Sequence, residues 1–413
     1  MKKIVFLSAV AATMVMAGGD IEPVVAEAPM VEDFLIFSNI QGHGQIRPRY
    51  EFVDTANTVD NANAYTARAT LAIQADLFQI DGLSTYLEGT GVFGTGDYYS
   101  LSGLRNGNNF NVVADPTQAR FTQAYIDYKF SDTLIRAGRQ DVDLDNLRFI
   151  GTVDWRQMPQ TYDAVAVINN SIDGLSLLGA YIWQVNTIFD ADTIKPVGDK
   201  FNTNSAILHA AYTFMPELTV TGYGYLLEDI HDTWGIAATG KIGVSENANV
   251  SYRAEYAIQN DPSFTDLNPN GTADADYYNI EATLNMSGFL AGAKYEVLSA
   301  GKNANGPFTT PLATLHAHNG WADLFLGTPI DGLVDANGMI GYKAAGFGVA
   351  KLIYHDFSSD VNGIDYGTEI DALYKNKIPG VKGLSGLIKG AWYSADQFSV
   401  DKTVVWAMLD YKF

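Results

Sequence analysis

Arginines and carboxylates placed two residues apart are the first chemistry this chain offers. Arg47-x-Arg49-x-Glu51 and Arg253-x-Glu255 each set their charges on one side of an extended segment. Arg68, Glu88 and Arg136 fall on the same side of their own segments by parity. Nine of the ten arginines (47, 49, 68, 105, 120, 136, 139, 148, 156) precede residue 157, and only Arg253 lies beyond it. A guanidinium is charged at every relevant pH and grips carboxylates bidentately. Such a cluster therefore does one or both of two things. It cross-links a wall as a ladder, or it leaves a positive field along a water-filled path, where low-dielectric walls concentrate counter-ions and salt weakens the effect. Either way the chemistry is binding and steering, not bond-making.

Other motifs suggest reactions and fail on their context. Gly89-x-Gly91-x-x-Gly94 spells the dinucleotide fingerprint, but no helical pattern follows it, and small residues on a strand explain it better. Asp141-x-Asp143-x-Asp145 opens like a calcium loop; Asn146 stands where the glycine belongs and Thr152 where the glutamate belongs, so an EF-hand is excluded. A looser calcium site in the acidic loops is the one cofactor expectation left open. His316 and His318 would face one way in extended chain, yet no third ligand lies near. The chain has no cysteine, which removes disulfides and thiolate chemistry. Its six histidines offer no Ser/His/carboxylate set, so no enzyme is expected.

The elements that must position these charges alternate with a period of two. Val250, Tyr252, Ala254, Tyr256 and Ile258 oppose Ser251, Arg253, Glu255, Ala257 and Gln259, a pattern a helix would scatter. Eighteen such segments begin near 44, 64, 83, 118, 133, 161, 175, 203, 217, 232, 248, 275, 288, 333, 347, 363, 383 and 402. The last runs to Phe413 itself, with Thr403, Val405, Ala407, Leu409, Tyr411 and Phe413 on one face. An apolar face ending in aromatics suits lipid and its interfacial girdle. Every second connection is short and the intervening ones are mostly long, the rule of barrels with periplasmic turns and external loops. The expected fold is all-β: a single 18-stranded antiparallel transmembrane β-barrel over 43–413.

Lys2 and Lys3 precede an uncharged apolar run, Ile4 to Ala17, followed by small residues. This predicts a secretory signal peptide over 1–17, with cleavage after Ala28 as the alternative, and a periplasmic segment over 18–42. No other apolar run approaches the roughly 20 residues of a membrane helix. The bulk charge is acidic, 26 Lys and Arg against 47 Asp and Glu, which excludes a nucleic-acid partner and argues against a polyanion conduit.

Particular words resemble the alginate export family of outer-membrane barrels and its porin-like relatives. They are Arg47-x-Arg49-Tyr50-Glu51, Thr66-Ala67-Arg68, Glu88-Gly89, Gly138-Arg139-Gln140, Leu144-Asp145-Asn146-x-Arg148-Phe149, Trp155-Arg156-Gln157 and Thr161-Tyr162-Asp163-Ala164, then Pro311-Leu312-x-Thr314-Leu315-His316-Ala317-x-Asn319-Gly320-Trp321-Ala322-Asp323. The resemblance implies an 18-stranded barrel and passage of solutes.

The expectation is a passive channel for small hydrophilic solutes, anions among them, in the outer membrane. Export of an acidic polysaccharide is the alternative, and a closed-lumen adhesin or receptor is the rival from another class. Arg47, Arg49, Glu51, Arg68, Glu88, Arg136, Arg253 and Glu255 are the expected pore-lining residues. The apolar connections 140–160 and 300–332 are expected to fold inward, with Arg148, Arg156, Asn319 and Asp323 at a constriction. Expected partners are outer-membrane lipids, lipopolysaccharide, the barrel assembly machinery and a homotrimer's other copies.

Overall fold

The computed structural model describes residues 35–57, 59–95, 98–101, 109–192, 198–228, 230–260, 274–302 and 306–413. The leader expected over 1–17 or 1–28 and Arg105 lie outside them. Eighteen strands follow in chain order: β1 (Phe37–Thr55), β2 (Ala62–Leu77), β3 (Leu83–Thr95), β4 (Gln118–Phe130), β5 (Thr133–Gln140), β6 (Thr161–Ile172), β7 (Leu175–Asn186), β8 (Lys200–Met215), β9 (Leu218–Leu227), β10 (His231–Ser245), β11 (Ala248–Asn260), β12 (Ala275–Met286), β13 (Phe289–Leu298), β14 (Leu333–Ala344), β15 (Gly348–Ser358), β16 (Asp365–Lys377), β17 (Leu384–Ala395) and β18 (Lys402–Lys412). Each pairs antiparallel with the next, and β18 pairs with β1 to close the barrel. Closure leaves no unpaired edge, as a lipid environment demands.

The barrel is inside out relative to a water-soluble domain. In β11, Tyr256 and Ile258 are exposed while Arg253, Glu255 and Gln259 are buried, so the apolar face looks outward and the charges look into the lumen. Leu71, Phe93, Phe121, Ile280, Ile340 and Ile388 continue the outward apolar band. Near the short-turn rim, aromatic pairs form a girdle: Tyr212 with Phe214 at 4.6 Å, Phe289 with Tyr342 at 4.8 Å, and Tyr411 with Phe413 at 5.5 Å. Two-residue turns such as Ser287-Gly288 take positive φ at both positions, 51° and 90°, the backbone that matches strand twist.

Strand starts fall within three residues of the expected ones except in β1, which begins at Phe37 and not at 43 or 44. Its first residues carry a bulge between Ser38 and Gln41, with Asn39 at φ 50°. Residues Asn39–His43 are exposed on both faces, so no alternation announces them. At the seam, Gly44 and Phe413 exchange backbone hydrogen bonds of 2.9 and 3.0 Å. The Phe413 ring lies where a Gly44 Cβ would stand, 2.2 Å from the nearest ring carbon, so the glycine admits the terminal aromatic.

Candidate functional site

Two external connections fold back into the lumen, and the inward charges of the wall receive them. The first, 141–160, sits on the arginines of β1 and β2. Arg47 donates to Gln157 Oε1 (3.1 Å) and to the Asp154 carbonyl (2.8 Å). Arg68 donates to the Asp154 carboxylate at 2.6 Å and to Gln45 Oε1 at 2.7 Å. Arg49 donates to the Trp155 carbonyl and is paired with the buried carboxylate of Asp115, from the preceding connection. Asp115 also accepts the Gln157 backbone N–H at 2.7 Å. A guanidinium fork aimed at carbonyls and carboxylates fixes loop backbone more precisely than a lysine would.

Arg156 points back from that loop toward the wall. It donates to both Glu51 oxygens at 3.1 Å and to Asp323 at 3.1 Å. Burial works against its charge, but Glu51, Asp115 and Asp323 outweigh it and hold the guanidinium more firmly protonated than usual. Asp323 belongs to the second inserted segment, 306–332. Its other oxygen pairs with His316 Nδ1 at 2.8 Å. Burial pushes the His316 imidazole down to about 3, with Lys389 adding to this and Asp323 opposing it, so His316 is neutral. His316 Nε2 faces the Lys389 ammonium at 2.7 Å. Both ring nitrogens of His316 are thus engaged within the protein.

The second segment docks on the wall beyond the seam, at β13 and β16. Asn319 Nδ2 donates to Glu296 (2.6 Å) on β13, the Trp321 N–H to Asp371 (3.2 Å) and the Ala322 N–H to Glu369 (2.8 Å) on β16. Gly320 sits at φ +82°, where a Cβ would meet the Glu369 carboxylate at 2.6 Å. Arg148 crosses from the first loop to Glu296 at 3.0 Å and to Asn319 Oδ1 at 3.0 Å. It is 1% exposed, so it ties the loops together and does not face a path.

The loops also bond each other. The Gly151 N–H donates to the Leu312 carbonyl (2.9 Å), and the Thr314 N–H to the Leu147 carbonyl (3.0 Å). The Thr314 hydroxyl accepts the Val153 N–H at 3.1 Å. Phe149 and Phe308 pack among Tyr223, Tyr225 and Tyr277 of the wall, which buries the apolar residues that make these loops unsuited to water.

The remaining expected residues lie apart from this knot. Arg253 pairs with Glu255 at 2.7 Å along β11, Arg136 with Asp127 at 2.7 Å across β4 and β5, and Glu88 accepts from Thr122 at 2.6 Å. Asp141, Asp143 and Asp145 turn to three different partners, Gln123, Thr152 and His209. Among the described residues no group of acidic and histidine side chains converges as a calcium site. Asp115, Asp154, Glu296, Glu369, Asp371 and Lys389 are functional neighbours that sequence reasoning missed. For the strand residues the signal was present, since Glu369 and Asp371 share a face by parity; for Asp115 and Asp154, in irregular chain, there was none.

Above the loops, toward the external rim, lies a cavity of about 470 Å³. Val53, Ile188, Phe189 and Leu326 are among its apolar walls, and Glu51, Arg156, Asp323 and Lys402 are its charged groups. Arg156 pairs with both Glu51 and Asp323, so these three carry one negative charge together, and Lys402 brings the lining to neutrality. Among the described residues, Lys402 has no carboxylate within ion-pair distance.

Comparison with known proteins agrees with this architecture. Residues 45–204 match the alginate export family model, which takes in the arginine wall and the first inserted loop. No curated protein matches the chain. Among solved structures it is similar to OccAB4 of Acinetobacter baumannii (14% identity, TM-score 0.70, covering 91% of this chain and 98% of that one). It is also similar to OccK8 (OprE) of Pseudomonas aeruginosa (16%, 0.68, 91% and 98%) and to OpdK of Pseudomonas aeruginosa with vanillate (12%, 0.69, 91% and 98%). The closed 18-stranded antiparallel barrel is thus the fold of these outer-membrane proteins, and over residues 45–204 the chain is similar to the alginate export family.

Proposed function

We propose that the protein is a passive, energy-independent channel for small hydrophilic solutes, narrowed by two loops folded into its lumen. The observation that carries this is that 141–160 reaches from the arginines of β1 and β2 to Tyr223 and Tyr277 of β9 and β12, while 306–332 docks on β13 and β16 and bonds to it inside the barrel. A lumen crossed in this way suits small molecules and opposes a polymer strand, so it disfavours polysaccharide export. Selectivity follows from pore width and from lumen charge. The wall arginines are matched by Asp115, Asp154 and Glu51, which makes the ladder their main role. The residual preference for anions then rests on Lys402 in the external cavity. One of the similar structures holds vanillate, an aromatic anion, and a cavity with apolar walls and a lysine that, among the described residues, has no carboxylate at ion-pair distance fits solutes of that kind.

Planar-bilayer recording of the purified protein tests this. Reproducible conductance with a modest anion-selective reversal potential is expected, decreasing as salt rises. Absence of conductance would overturn the channel and favour the surface-receptor alternative.

A further inference from the structure

We propose that Lys389 is the latch that holds both inserted loops in the lumen, and that, in the channel proposed above, it sets the resting conductance. Lys389 projects from β17 and is 5% exposed. Its ammonium lies 3.8 Å from the ring centre of Trp321, 4.3 Å from that of Trp155 and 5.3 Å from that of Trp406. The three rings come from three places: Trp155 from the first loop, Trp321 from the second, and Trp406 from the wall strand β18. His316, stacked on Trp155 at 4.4 Å with planes 8° apart, accepts the ammonium proton through Nε2.

This is an aromatic cage filled by the protein's own cation. No carboxylate lies within ion-pair distance of Lys389 among the described residues. Its desolvated charge is touched only by ring faces and a neutral imidazole, with Asp371, Asp323, Glu369 and Glu51 acting from further off, an arrangement that is strong only while water is excluded. All but one of the touching groups arrive with the loops. If either loop leaves, the cage opens, water reaches the ammonium and the other loop loses its share of the attraction. The two loops are thus coupled through one side chain, and the lumen exchanges between a latched and an open state as a unit. The His316–Asp323–Arg156–Glu51 chain continues from the cage to β1, whose Glu51 pairs in register with Trp406, so the latch also sets the floor of the external cavity.

The test compares wild type with Lys389→Met, which keeps the apolar stem, in lipid bilayers. Trp155, Trp321 and Trp406 lie in the lumen, whereas Trp183, Trp234 and Trp392 are exposed on the lipid face. Acrylamide quenching therefore reads the cage, and brominated-lipid quenching reads the outside. With the methionine variant, excursions to larger conductance are expected to become on the order of tenfold more frequent, with greater acrylamide quenching and unchanged brominated-lipid quenching. Wild-type conductance and wild-type acrylamide quenching in the folded variant would overturn the latch. If Lys389→Met does not fold, Trp321→Leu, which removes one cage wall on an inserted loop, must give the same two changes, and wild-type values there overturn it equally. Should the wild type conduct nothing, the channel fails while the quenching comparison still decides the latch.

Discussion

At the residue scale the decisive question is what the arginines face. Period-two spacing was enough to set Arg47, Arg49, Arg68 and Glu51 on one inner wall, because a strand offers each side chain only two directions. Their partners were not legible, since Asp115, Asp154 and the Trp155 carbonyl belong to irregular chain that returns from far along the sequence. Arg156→Ala would leave Asp323 buried without a cationic partner and Glu51 with Arg49 alone. Removal of one partner from such a site costs about 3–5 kcal/mol, so the variant should lose loop protection in hydrogen exchange and shift its reversal potential toward cations. Lys402→Gln makes the contrasting case: with no ion pair to break, stability should be unchanged, while anion preference falls. Equal selectivity of Lys402→Gln and wild type would remove the role given to that side chain.

At the element scale, the unit is the pair of crossed loops. Gly151 lies at the crossing, where a Cβ would stand 2.4 Å from the Thr314 hydroxyl and 3.2 Å from the Thr314 nitrogen. Gly151→Val should therefore separate the loops and raise single-channel conductance without altering the barrel's circular dichroism. Docking should also depend on pH. The docked His316 titrates near 3, whereas an undocked loop in water titrates near the ordinary value of about 6.5. Above that value neither form carries the proton, and pH has no effect through this group. Between 6.5 and 3 the undocked form binds a proton that the docked form refuses, so docking weakens by about 1.4 kcal/mol per pH unit on acidification. His318, buried near Arg148 and Lys294, is likewise held well below its usual range and acts in the same direction. Asp323 and Arg156 from the loops and Lys389 from β17 face His316, and the first resists the shift while the others favour it. Open excursions should therefore increase as pH falls from 7 to 5. His316→Gln should flatten that slope and the double variant with His318→Gln should abolish it; a slope that persists in the double variant would assign the effect elsewhere.

At the scale of the whole molecule, stability comes from closure and from lipid-facing apolar surface. The seam depends on Gly44 and Phe413, whose two mutual hydrogen bonds and ring contact lie at the end of the chain. Deleting Phe413 removes both bonds, each worth about 1 kcal/mol, together with a girdle aromatic. The deletion variant should show a lower urea midpoint and reduced yield of folded barrel, while selectivity stays unaltered because the lumen charges are not touched. An unchanged midpoint would mean that β1 and β18 hold the seam by their inner residues alone.

Taken alone, the sequence determined the barrel: strand number, direction, most strand starts and the inner or outer face of most strand side chains follow from a two-residue period and alternating connection lengths. These are local properties, dictated by backbone geometry and by the need to satisfy every polar backbone group in lipid. Tertiary structure alone decided what fills the lumen. Which carboxylate meets which arginine, how 141–160 crosses 306–332, and why a lysine from β17 sits among three tryptophans depend on irregular segments that carry no period. Their conformation is set by the wall charges they meet after the barrel has closed, and pairings between residues more than a hundred positions apart leave no mark in either segment's own pattern.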